Sequence, residues 1–215
     1  MWSGGKDCAL ALWRAKKRGL NVSRLLTVYD PSSNRVRFHN TGPELLQAQA
    51  AALGLELELV PAPWAEMDSI LVAAFKRLDA AGFEGVIFGD IHLADVRAWY
   101  EERVVAAGLA HVEPIWGDPP QLLLEEFVEI GGRALVTCCE LARLDGRWLG
   151  REIDPEFAFE IASAGVDPCG ENGEYHSFAF AGPMFQQPLS LQPLSARVEG
   201  GFALLDLQLR PPPRS

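Results

Sequence analysis

Cysteine is scarce in this chain, with four residues at 8, 138, 139 and 169 and no C-x-x-C pair among them. That spacing excludes a paired sulfur relay and an even disulfide framework, and reads as reduced thiols in a reducing compartment. Cys138, Cys139, Cys169 and His176 could be drawn together as a zinc site on paper. Neighbouring cysteines in a strand point to opposite faces, however, which argues against it. No apolar run reaches the length of a bilayer span and no basic-then-apolar leader opens the chain, so a soluble, cytoplasmic protein is expected. There is no internal repeat and no low-complexity block. Basic residues are short in one half only. Residues 1–110 hold 12 Lys and Arg against 13 Asp and Glu, whereas residues 111–215 hold 7 against 16. The acidic second half repels RNA and DNA, while the near-neutral first half can accept a polyphosphate. The six tryptophans follow no stacking rhythm, which also speaks against a nucleic-acid platform.

What is present in the first half is an alternation of helix and strand signals, the pattern of a parallel sheet with helices on its faces. Residues 9–18 are strong helix formers that close on Lys16, Lys17 and Arg18 and stop at Gly19. Residues 22–29 read as a buried strand, 44–53 as a helix opened by Pro43 and stopped at Gly54, 55–60 as a half-exposed strand and 67–81 as a helix. Residues 85–90 form an apolar strand ending on Gly89 and Asp90, at the carboxyl end where open α/β sheets bind ligands. A helix over 93–107 carries Arg97, near enough in sequence to Asp90 to reach the same crevice. Residues 110–117 then read as a crossing segment, with a domain boundary at about 108–112. Beyond it the signals are a helix over 121–130, a strand over 134–140, a helix over 155–164 and late strands over 194–198 and 202–209.

Two stretches carry chemistry. Ahead of the first helix stands Ser3-Gly4-Gly5-Lys6-Asp7-Cys8. Its glycines free the backbone to turn successive N–H groups onto one anion, and the helix start adds amides and the positive end of its dipole. The glycine spacing and the residue after the lysine exclude a Walker A loop; an ordinary tight turn is the other reading. The second stretch runs over residues 167–178 and presents Glu171, Glu174 and His176 around Gly170 and Gly173. Loops so dense in ionisable groups are either sites or solvated turns. No local pattern decides a role for His39, and His111 reads as packing.

The first loop is similar to the S-G-G-K-D-S loop of the N-type ATP pyrophosphatases, with Cys8 where serine is usual. Gly89-Asp90-Ile91, Pro114-Ile115-Trp116, the G-E-N-G-E-Y-H-S run over residues 170–177 and Gly182-Pro183-Met184-Phe185 follow in order. Together they resemble the diphthine–ammonia ligase family of the PP-loop superfamily from Ser3 to Phe185, with Asn172 where glycine is common. The resemblance implies an α/β fold: a HUP-type (Rossmann-like) parallel sheet with helices on both faces over residues 1–110, binding the nucleotide, and a smaller C-terminal α+β substrate-binding domain over 111–215. It implies an ATP-dependent amide ligase, in which a carboxylate is adenylated, pyrophosphate leaves and ammonia displaces AMP.

In that reading Ser3, Gly4, Gly5, Lys6, Asp7, Cys8 and Gly89 hold ATP, and Asp7 or Asp90 holds Mg²⁺. Lys6, Asp90, Glu171, Glu174 and His176 carry the chemistry, the last three by orienting substrate and ammonia. A trimethylammonium-bearing acceptor would meet Glu171, Glu174, Tyr175 and Phe178. The implied partners are ammonia and a small or protein-borne carboxylate; a homo-oligomer is left open. A tRNA-modifying adenylating enzyme of the thiolase type and a nucleotide-binding module without turnover stand as other functions. Finally, a βαβ nucleotide fold sets a strand before its glycine-rich loop, and only Met1 and Trp2 precede Ser3. The expectation is a chain shortened at its start, with the strands at 22–29 and 86–88 either facing a gap or closing on each other.

Overall fold

The computed structural model describes residues 1–36 and 39–211. Helix α1 (Lys6–Lys17) leads into strand β1 (Arg24–Tyr29), helix α2 (Pro43–Leu53), strand β2 (Glu56–Pro61), helix α3 (Met67–Ala80), strand β3 (Gly85–Ile87), helix α4 (Ala94–Ala106) and strand β4 (Ala110–Val112). Then come α5 (Pro120–Glu129), β5 (Arg133–Glu140), α6 (Pro155–Ile161), β6 (Tyr175–Ala181), β7 (Leu191–Glu199) and β8 (Phe202–Leu209). Their ends follow local chemistry. Pro43 supplies a preset φ at the start of α2, and Gly54 ends that helix in the left-handed region at φ 66°.

The strands form parallel pairs flanked by helices, followed by an antiparallel sheet. β1 pairs in parallel with β2, Arg24 opposite Glu56 through Tyr29 opposite Pro61, and β3 pairs in parallel with β4. The last four strands build an antiparallel sheet in the order β6-β5-β8-β7. Residues 110–112 are therefore a strand where a crossing segment was expected: Val86 lies opposite His111, and the short apolar alternation around that histidine is enough to extend β3. The helix expected over 155–164 stops at Ile161.

Residues 175–178 were read as the end of the acidic loop and belong to strand β6. Tyr175, Ser177 and Phe178 are buried in it, so the strand turns the end of that loop into core. Helix α1 is wedged between the two halves. On one side Leu10 and Leu12 join a cluster with Leu124, Phe127, Val136, Phe157 and Tyr175. Arg14 clasps Glu126 of α5 (Nε–Oε1 3.0 Å) and the Pro114 carbonyl (3.1 Å). A second cluster of Leu26, Val60, Leu71, Phe75, Val86 and Phe88 fills the space under α3.

Candidate active site

The loop ahead of α1 is shaped by close backbone approach. Gly4 sits at φ 87°, and a Cβ there would come within 2.8 Å of Gln49 Oε1. Gly89 is confined by backbone instead of a side chain: its Cβ would lie 2.9 Å from the Cys8 nitrogen, so the carboxyl end of β3 presses directly on the first turn of α1. That contact brings the Gly89-Asp90 corner to the Ser3 loop.

The loop is held from behind by groups far away in sequence. Gln49 is fully buried; its Nε2 donates to the carbonyls of Gly4 (2.9 Å) and Ala179 (2.6 Å), and its Oε1 accepts from Trp2 Nε1 (3.0 Å). The Gly4 carbonyl also takes the Ala179 N–H at 2.8 Å, which ties the loop to β6. The Lys6 N–H donates to Ser177 Oγ (3.2 Å), the Gly5 N–H to Ser3 Oγ (3.3 Å), and Ser3 Oγ lies 3.3 Å from Cys8 Sγ.

Lys6 is 2 % exposed, and its ammonium is placed by three groups. It donates to Asp7 Oδ2 (2.9 Å) and to the Cys169 carbonyl, and stands 4.9 Å from the centre of the Tyr175 ring. Burial works against its charge, but Asp7 and then Tyr175 more than offset it and hold the lysine protonated, well above the ordinary range. Asp7 keeps a quarter of its side chain in contact with solvent, which favours the charged pair.

Around this cation lie carboxyl groups that burial makes reluctant to ionise. Asp90 is pushed up to about 6 by burial, with Asp7 adding to the rise. Glu171 is pushed up to about 7 by burial, then by Asp7 and Asp90, while its Oε1 accepts the Ile91 N–H at 2.9 Å. The second stretch thus reaches back to the corner after β3. His92 Nε2 and Asp167 Oδ2, 2.8 Å apart, make a second tie between the same segments.

Glu174 does something else. It is 3 % exposed, and its Oε1 accepts from the Asp167 N–H and from Asn172 Nδ2, both at 3.2 Å. Its role in the fold is to brace the loop from within. Among the described residues its Oε2 has no hydrogen-bond partner. His176 packs against His39, ring centres 4.7 Å apart. Burial lowers His39 to about 4, and burial together with the neighbouring His39 keeps His176 well below the ordinary histidine range, so both rings are neutral at pH 7. His39 also lies against Gly5, with its Cε1 3.2 Å from where a Cβ would stand.

Ser3, Gly4, Gly5, Lys6, Asp7, Cys8, Gly89, Asp90 and Glu171 therefore gather at one place, Glu174 underpins the loop that delivers Glu171, and His176 lies behind Gly5 through His39. The aromatic cage expected for a trimethylammonium group is not formed: Tyr175 and Phe178 are 1 % and 0 % exposed, and the Tyr175 ring already faces Lys6. Arg97 pairs with Glu113 at 2.6 Å and covers Trp116. Among the described residues no group of three or more His, Cys, Asp or Glu is set to hold a metal, and all four cysteines are free. Gln49, Ser177 and His39 were missed as parts of the site. The signal for Gln49 was slight, a single amide among the alanines and leucines of α2.

No curated protein matches the chain in a sequence search. The family model described as the diphthamide synthase N-terminal domain matches residues 1–110, and the one described as the diphthamide synthase C-terminal domain matches residues 119–206. With both models covering most of its length around a single shared site, the chain belongs to the diphthamide synthase family.

Proposed function

We propose that this protein is an ATP-dependent amide ligase of the diphthine–ammonia type. The observation that carries the reading is the meeting of its two chemical stretches: Lys6 reaches the Cys169 carbonyl and Glu171 reaches the Ile91 N–H, so a phosphate loop and an acidic loop share one crevice. The start of α1 offers an anion the amides of Gly5 and Lys6, now occupied only by the rotatable hydroxyls of Ser3 and Ser177. Lys6 is held protonated where charge develops as the bond between the α- and β-phosphates breaks.

In the proposed sequence an acceptor carboxylate oxygen attacks the α-phosphorus and pyrophosphate departs. Ammonia nitrogen then adds to the acyl carbon, AMP leaves with the C–O bond electrons, and the nitrogen gives up a proton to solvent or a nearby carboxylate. Glu171, poised near neutrality, is the group suited to take it. Mg²⁺ suits Asp7 and Asp90, because this ion takes one or two carboxylates beside phosphate oxygens and waters. It would supply charge neutralisation for the leaving pyrophosphate.

The test is to incubate the protein with ATP, ammonium and a panel of carboxylates that includes a diphthine-bearing protein, and to follow pyrophosphate and AMP. Equal amounts of both, dependent on acceptor and ammonium, are expected. ATP binding without either product would leave a nucleotide-binding module, and ADP as product would overturn the adenylation chemistry.

A further inference from the structure

The crevice is rich in carboxyl groups, and the acceptor of the proposed reaction is itself a carboxylate. Burial, and after it the charge of Asp7, raises both Asp90 and Glu171, so a further anion beside them is unwelcome without a cation. Lys6 is buried and already donates to Asp7 and to the Cys169 carbonyl. The cation that an entering carboxylate could meet is Arg97.

Arg97 lies in the first turn of α4, where its N–H donates to the Leu93 carbonyl at 3.0 Å. The corner between β3 and α4 is tied on both sides of Ile91: its N–H donates to Glu171 Oε1 (2.9 Å), and its carbonyl accepts from the Gly117 N–H (2.8 Å). Trp116, the residue before Gly117, carries the Arg97 guanidinium over its ring, 4.7 Å from the centre. Arg97 and Glu171 are thus linked through the same residue. On the other side of the guanidinium, the buried Glu113 places Oε2 2.6 Å from Nε. Burial raises the Glu113 carboxyl, Arg97 opposes the rise and Asp90 adds to it, so this carboxyl stands in the fields of both.

Trp116 fixes the plane of the guanidinium and Glu113 occupies its Nε corner, while among the described residues neither terminal nitrogen makes a hydrogen bond. Nε is buried, yet 36 % of the side chain is exposed. A planar fork held in this way gives up little freedom on binding and matches the paired oxygens of a carboxylate or phosphate. We propose that Arg97 receives the carboxylate of the acceptor and brings it into the crevice beside Glu171. The phosphates of ATP have the amides at the start of α1, which leaves the acceptor as the anion still in need of a partner. A carboxylate has about four lone-pair sites, so one paired with the fork keeps others free to attack the α-phosphorus. Naming the acceptor as occupant rests on the ligase reading; the anion site does not.

The test titrates the protein with sodium propionate, against sodium chloride at equal ionic strength, and follows the Trp116 indole N–H by NMR, identified through Trp116→Phe. A saturable shift with propionate alone, abolished in Arg97→Ala, is expected. No saturable shift, or the same shift with chloride or in the variant, would overturn the proposal. ATP in its own cradle should leave the propionate shift in place; displacement of propionate by ATP would give Arg97 to the nucleotide and overturn the assignment. In turnover with ATP, ammonium and a diphthine-bearing protein, Arg97→Lys keeps a cation for Glu113 but loses the fork. The acceptor KM should then rise about tenfold to a hundredfold with the ATP KM unchanged. Free guanidinium ion should restore part of the loss in Arg97→Ala, as it would not for a merely structural arginine. Equal rises in both KM values would overturn the proposal. A wild type that binds propionate at Arg97 yet releases no pyrophosphate would support the anion site and refute the ligase reading instead.

Discussion

The two loops of the site are built on opposite plans. The first, Ser3 to Cys8, makes few bonds to itself beyond Ser3 and is pinned by partners more than forty residues away, Gln49, Ala179 and Ser177. The second is stitched mainly within itself: Asp167 Oδ1 accepts from the Cys169 N–H at 2.8 Å, Tyr175 Oη donates to the Pro168 carbonyl at 2.6 Å, and Glu174 holds Asp167 and Asn172. A loop pinned from outside transmits any shift of the surrounding strands to its ligand, whereas a self-braced loop can carry a charged group, here Glu171, as a unit. The contrast predicts where substitutions will act on turnover and where on stability.

The largest effect should come from Lys6→Ala. It removes a buried cation that Asp7 pairs with and Glu171 feels, and pyrophosphate release should fall about a hundredfold or more. The ion pair with Asp7 is lost as well, so a lower Tm is expected alongside. Near-normal turnover would show that the crevice is not the reacting centre.

Next in size is Gly89→Ala, which tests the outside pinning of the first loop. The added methyl would meet the Cys8 nitrogen and the Asp7 carbonyl carbon, 2.9 and 3.0 Å from its position, and backbone cannot rotate away as a side chain can. Overpacking of this kind costs about 1–3 kcal/mol. A displacement of the loop on the order of 1 Å would slow turnover by roughly tenfold to a hundredfold. Circular dichroism melts and pyrophosphate release measured together would check it; unchanged values in both would mean that the corner and the loop move freely past each other.

Much of this was legible in the sequence, and the reason differs by element. The Ser3 loop could be read because its chemistry is local: glycines, a lysine and a helix start within six residues. The helices at 43–53 and 67–80 were legible through Pro43, Gly54 and their apolar period. β4 and β6 were not, since three residues around His111 carry too little periodicity, and the buried run over 175–181 begins inside a loop rich in charges. Nor could the sequence separate Glu171 from Glu174. They stand three apart with similar neighbours, and only the path of the chain turns one toward Ile91 and the other inward.

That separation is sharpened by Glu174→Ala, a smaller effect expected on stability. The substitution strands the Asp167 N–H and the Asn172 amide, at a cost of about 1–3 kcal/mol. Denaturant midpoints should drop while turnover of the folded fraction at saturating substrate stays within severalfold. A large loss of turnover with unchanged stability would instead place Glu174 among the reacting groups.

The smallest and most specific effect concerns Glu171→Gln, which keeps an acceptor for the Ile91 N–H and removes a buried charge. The folded-state pKa of Glu171, about 7, lies above its ordinary 4.5, so folding favours the protonated acid. That contribution is complete below about 4.5 and is lost as the pH rises through about 7. The wild type should therefore lose ground to the variant across that window, with Tm curves that converge in acid and separate toward pH 8. Asp90 has the same sign, while His39 and His176, held neutral, act in the opposite direction; all three are present in both chains and largely cancel in the difference. Mg²⁺ with ATP should narrow the gap at pH 8, because a bound cation offsets the repulsion that ionised Glu171 feels from Asp7 and Asp90. A Tm difference that does not change with pH would show that Glu171 is free to ionise in the folded chain, and would remove it as the proton acceptor near neutrality.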